Sequence, residues 1–132
     1  MIAKIQNNTA IITSDIDGWL FFIPCLHYIV LASPHVHSEY YLSAELGDIE
    51  SEGDSILLVE TSENNTSNKK CELKIKKTGN GIEIYGSKGD FIGFADEIIN
   101  LILSKDFNNL KSINVSKIDS MELMISLRPN TQ

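Results

Sequence analysis

The chain has 132 residues and a formal net charge of −7, with 42% apolar and 22% charged residues; that length buries a core without disulfides or metal, and one domain covering 1–132 is expected. The charge is lopsided: residues 1–68 carry ten acids and one base, Lys4, for −9, and residues 69–132 carry eight acids and ten bases, for +2. A first half so poor in lysine and arginine argues against a nucleic-acid backbone as partner, which needs positive charge, and favours a basic partner or plain solubility.

The opening, MIAKIQNNTAIITSD, lacks the apolar stretch of a signal peptide, and a cytoplasmic location is expected. Ile2 to Gln6 and Thr9 to Thr13 are short β-prone runs around Asn7-Asn8, a hairpin signal. Ser14 followed three residues later by Asp17 has the form of a helix start. The greasiest run, Trp19 to Ala32, is 14 residues long and interrupted by Pro24 and His27, too short for a membrane span of about 20 apolar residues. Trp19, Phe22, Ile23, Leu26 and Val30 fall at helical intervals. Pro24 inside a helix costs roughly 3 kcal/mol, so the favoured helix begins near Ile23, with Pro24 in its first turn; a partly extended segment is the alternative. Cys25 and Cys71 match no metal spacing, and two buried free thiols are favoured over a single bridge.

Ser33-Pro34 ends that element, and His35 to Tyr41 alternates like a strand. The acidic, glycine-containing stretch 42–54 reads as a loop, Ile56 to Glu60 as an apolar strand, and residues 63–68 as the connection between two halves. Glu72 to Lys77 and Ile82 to Tyr85 form a second hairpin pattern around Thr78-Gly79-Asn80-Gly81. The clearest helix lies within Gly86 to Ser104, with Phe91, Phe94, Ala95, Ile98, Leu101 and Ile102 on one face. Ser87 and Asp90 resemble a capping box. Ser112 to Val115 and Glu122 to Leu127 are β-prone, and Pro129 closes the pattern.

The halves echo each other. Ile11, Ser14, Trp19, Phe22, Leu26 and Val30 match Ile84, Ser87, Phe91, Phe94, Ile98 and Ile102 at an offset of 72 or 73, and Asp54 to Leu58 resembles Asp119 to Leu123. The expected fold is α+β: an antiparallel sheet carrying two helices, built from two pseudo-symmetric ββαββ halves over 1–62 and 69–128.

Little chemistry is indicated. His35, His37 and Glu39 share one face of a strand, and two histidines with a carboxylate suit zinc or iron. Same-face neighbours lie about 6.5–7 Å apart, however, which strains a three-ligand site drawn from one strand, and local hydrogen bonding is favoured. Cys25 and His27 diverge on a helix. Gly86 and Gly89 match neither nucleotide-binding fingerprint and serve better as a strand-to-helix turn. Five acids without a base, Glu45, Asp48, Glu50, Glu52 and Asp54, mark either a solvated loop or a surface complementary to a basic protein.

Two stretches, IEIYGSKGDFIGFADEIINLI and HVHSEYYLSAELGDIESEGDSILLV, resemble bacterial polymorphic-toxin immunity proteins, most closely the family catalogued as immunity protein 32. The matching positions are His35, His37, Glu39, Tyr40, Tyr41, Ser55 and Leu58, and the likeness covers about half the chain. The chain departs from the pattern in order, because the histidine strand follows the proline-interrupted helix rather than the cleaner one. The resemblance implies a non-enzymatic protein without cofactor that binds and blocks one cognate toxin. Expected alternatives are a small metal-dependent or otherwise unrecognised enzyme centred on His35, His37 and Glu39, or an accessory binding module.

Overall fold

A computed structural model of the chain describes residues 2–32, 39–41, 55–60, 72–78, 81–107 and 109–129. Local chemistry accounts for its first elements. Strands β1 (Ile2–Gln6) and β2 (Thr9–Ser14) form a hairpin because Asn7 and Asn8 both adopt positive φ, 47° and 62°, as a two-residue turn matched to strand twist requires. Helix α1 (Ile16–Ala32) follows. Its cap is Asp15, whose carboxylate accepts the Gly18 N–H at 2.8 Å. Ser14, expected as the start of the helix, instead ends β2 with its side chain buried.

Pro24 lies inside α1 rather than in its first turn, so the helix begins seven residues earlier than expected. The magnitudes explain this. Burying Phe22 and Leu26 contributes about 1.5–3 kcal/mol each, and Trp19 and Cys25 are also buried, which together outweigh the roughly 3 kcal/mol of an interior proline. Pro24 itself faces solvent, where its ring meets no core neighbour.

The remaining strands are β3 (Glu39–Tyr41), β4 (Ser55–Glu60), β5 (Lys74–Thr78) and β6 (Gly81–Gly86). Helix α2 (Lys88–Ser104), β7 (Leu110–Ile113) and β8 (Glu122–Leu127) are the other described elements. In α2 the capping box is complete: Asp90 N–H donates to Ser87 Oγ at 3.2 Å, and Ser87 N–H to Asp90 Oδ2 at 2.9 Å. At its other end Lys105 takes a left-handed conformation and its N–H caps the Ile102 carbonyl.

Among the described residues the fold is α+β with two helices, as the patterning predicts, but the antiparallel sheet is replaced by two mixed sheets. Their strand orders are β1-β2-β8-β7 and β3-β4-β6-β5. Outer pairs are antiparallel; the central pairs, β2 with β8 and β4 with β6, are parallel. Each half thus places its hairpin in one sheet and its last two strands in the other. The correspondence extends to register. Elements β1, β2 and α1 map onto β5, β6 and α2 at a constant offset of 72, and β4 maps onto β8 at 67. Thr9 opposite Glu122 and Gly81 opposite Ser55 become equivalent ladder positions. Three of the sequence pairings therefore shift: Ile12, not Ile11, corresponds to Ile84; Ser14 corresponds to Gly86, not Ser87; and Ser55 corresponds to Glu122, not Ser120.

Alternating burial in β2 and β6 turns one face of each sheet to the helices. Residues of both halves form one core cluster, including Trp19, Phe22, Leu58, Ile84, Phe94 and Leu123. Helices α1 and α2 pack on each other. At their contact the equivalent residues Phe22 and Phe94 meet edge to face, with centroids 5.8 Å apart and planes at 79°. Trp19 stacks on Phe22 in the same manner at 5.5 Å and donates its indole N–H to the Ser126 carbonyl at 3.0 Å, tying α1 to β8.

Phe94 is fully buried, so Phe94→Ala should lower stability by about 3–5 kcal/mol. Chemical denaturation reads this directly, and an unchanged midpoint would remove Phe94 from the inter-helix core.

Candidate functional site

The acidic stretch proposed from sequence, Glu45, Asp48, Glu50, Glu52 and Asp54, lies outside the described residues, as do His35, His37 and Cys71. Its described anchors are Tyr41, the last residue of β3, and Ser55, the first of β4. In that sheet β3 is the edge strand and β4 lies beside it, between β3 and β6. Glu39 begins β3 opposite Val59 of β4. Ser55 and Leu58, two more positions of the family resemblance, lie in β4, where Leu58 is fully buried.

The equivalent connection in the second half, residues 114–121, runs along the outer edge of β5. Leu73 N–H donates to Asn114 O at 3.3 Å, and Ser116 N–H returns to Leu73 O at 2.7 Å. Further on, Ile75 N–H donates to Ser120 Oγ at 2.8 Å and Met121 N–H to Ile75 O at 2.9 Å. This connection covers an edge that would otherwise invite strand pairing. Beside it lies a shallow, open depression lined by Asn8, Lys76, Lys77, Asp119 and Ser120. Its polar groups already serve structure: Ser120 holds the edge, and Lys76 sits 3.8 Å from Asp119, an exposed pair worth little.

Among the described residues, no three His, Cys, Asp or Glu side chains converge as metal ligands. Cys25 is buried and its Sγ donates to Phe21 O at 3.5 Å, and His27 is exposed. The N-terminus of α2 offers no phosphate cradle, because Asp90 already occupies it. Its other carboxylate oxygen accepts the Glu72 N–H at 3.1 Å, fastening the chain that leads into β5.

Ser14 is the conspicuous buried polar group. Its hydroxyl is fully buried and has no hydrogen-bond partner. A Cβ on Gly18 would come within 1.9 Å of that oxygen, so the space beneath the first turn of α1 is filled. In the second half the sizes are exchanged: Gly86 replaces Ser14, Asp90 replaces Gly18, and a Cβ on Gly86 would stand 3.0 Å from Asp90 Cβ. Ser14 and Gly18 are a packing pair, not a ligand site.

The feature that sequence reasoning missed is the outer surface of the helices. The run Trp19 to Ala32, expected as buried core, exposes Leu20 and Phe21, and α2 exposes Ile92, Ile99 and Leu103. Its signal was present, since α1 is apolar on every side rather than along one stripe. No described helix is long and apolar enough to cross a membrane. Comparison of the chain with protein-family models, curated proteins and solved structures returns no match.

Removing the unpaired hydroxyl with Ser14→Ala should leave stability unchanged or raise it, because an unsatisfied buried polar group costs about 1–3 kcal/mol. Gly18→Ala alone should destabilise by about 1–3 kcal/mol through overpacking, and much less when Ser14→Ala is already present. Additive effects in the thermal melts of the three variants would contradict the packing pair.

Proposed function

We propose that the chain is an immunity protein, which binds one cognate bacterial toxin and neutralises it stoichiometrically without performing chemistry. The observation that carries this reading is the run of five acids between Glu45 and Asp54, unrelieved by any base and set in a half-chain of charge −9. The resemblance of the His35 to Leu58 stretch and of the α2 region to toxin-immunity proteins points the same way. A toxin that degrades nucleic acid presents a positive cleft, and a stretch of five acids without a base complements it in charge.

Electrostatic complementarity of this kind acts chiefly on the association rate and is screened by salt. Replacing Glu50, Glu52 and Asp54 together with Ser should slow association with the cognate toxin, by roughly tenfold at low ionic strength and much less at high salt. Stopped-flow or surface-plasmon kinetics measure both arms. A wild-type rate at low salt would reduce the acidic stretch to a solvated loop. Metal analysis of the purified protein checks the enzymatic alternative, since a full equivalent of zinc or iron would move the reading to His35, His37 and Glu39.

A further inference from the structure

The outward stripes of the two helices are apolar where a solvated helix is polar. On α2, residues 92, 96, 99 and 103 follow one another at helical spacing on one side. Three of them are Ile92, Ile99 and Leu103, exposed by 45%, 38% and 71%. On α1, Leu20 and Phe21 are exposed by 52% and 45%, and Pro24 follows on the same side, also exposed. The charges on these stripes are of one sign at the accessible positions: Asp17 on α1 and Asp96 on α2 are exposed, while Lys88, half-buried, is already engaged. A third feature lies in the backbone. Pro24 has no N–H to give the Leu20 carbonyl, so an acceptor of α1 lacks its helical donor beside the exposed Leu20 and Phe21.

We propose that this helix-pair surface docks a protein segment bearing an apolar ridge flanked by lysine or arginine. The exposed leucine and isoleucine side chains supply the apolar contact, Asp17 and Asp96 meet the flanking cations, and the Leu20 carbonyl accepts a donor from the same segment. Apolar patches carrying anchors of this type mark interaction sites, and the embedded acids select the sign of the occupant's charge. The surface is distinct from the acidic stretch 45–54; it deepens the immunity reading by naming a second contact on the same basic partner, and rests on that reading for the partner's identity.

The test uses the full chain and two synthetic helical peptides with one identical leucine ridge, flanked in one by lysine and in the other by glutamate. Fluorescence anisotropy should show saturable binding of the lysine peptide, at least about tenfold tighter than the glutamate peptide. In the double variant Ile99→Asp and Leu103→Asp that binding should fall by at least about tenfold. The substitutions add negative charge, so purely electrostatic attraction would strengthen, and a loss identifies the apolar contact. Leu20→Asp on the other helix should weaken binding independently, and circular dichroism confirms that each variant is folded. Equal binding of the two peptides, or undiminished binding by the folded variants, would overturn the proposal. So would a wild-type dimer in sedimentation velocity that the same substitutions dissolve, because the occupant would then be a second copy. The peptide assay does not involve the toxin, and the Ile99, Leu103 and Leu20 substitutions leave the acidic stretch unchanged, so their effect is separate from its attraction for lysine. A helix surface that binds its peptide beside a triple-Ser variant of unchanged toxin kinetics would therefore sink the acidic-loop reading alone.

Discussion

The parallel ladder between β2 and β8, with its counterpart between β4 and β6, is the constraint on which the rest of the molecule depends. Each ladder joins a strand from one half to a strand from the other, so neither half completes a sheet from its own residues. The helices inherit this dependence. Trp19 of α1 reaches across to the Ser126 carbonyl of β8, a strand of the opposite half, and Phe22 meets its own equivalent, Phe94, where α1 and α2 pack together. An internal twofold relation makes such self-matching contacts unavoidable near its axis, and large aromatic rings suit that place because edge-to-face pairs tolerate neither a cavity nor a charged intruder.

Within that relation the halves are free to differ where the register does not fix them. The space under the first turn of each helix is filled from the strand side by Ser14 in one half and from the helix side by Asp90 in the other. The second solution gains a capping box and a hold on Glu72, and the first leaves a hydroxyl without a partner. The connections between the last two strands differ as well. The offset between halves is 71 at β3 and β7 and 67 at β4 and β8, so the first half carries the longer connection, with all five acids, while the second uses its shorter one to cover the edge of β5.

Most elements were legible in the sequence because their signals are local. Asn7-Asn8 announces a hairpin, Ser87 with Asp90 a helix start, and the spacing of Phe91, Phe94 and Ile98 a buried face; the structure places all three as read. What failed to show depends on partners distant in sequence. Alternation in a strand does not say which strand lies beside it, so the parallel central pairs and the two sheets were hidden. Pro24 was read by its local cost, which the burial of Trp19, Phe22 and Leu26 overrides. Ser14 looked like a cap by its spacing from Asp17, whereas Asp15 takes that role because Ser14 is still the last ladder residue of β2. Of the candidate site, the acidic run was readable as composition alone; the exposed side of the helices required knowing which side the sheets already covered.

The exchange of strands between halves also governs the order in which this chain is able to fold. Thr13 of β2 bonds to Ser126 of β8, 113 positions further along the chain, and β2 meets its parallel neighbour only after β8 has been made. During synthesis the first hairpin and α1 emerge with their sheet edge and apolar helix uncovered, waiting for the last strand. Loop closure over such a span carries its entropy cost before the ladder rewards it, which slows folding relative to a chain held by local contacts. The nascent first half is then the interval of greatest exposure to aggregation, and its lopsided negative charge keeps neighbouring nascent copies apart.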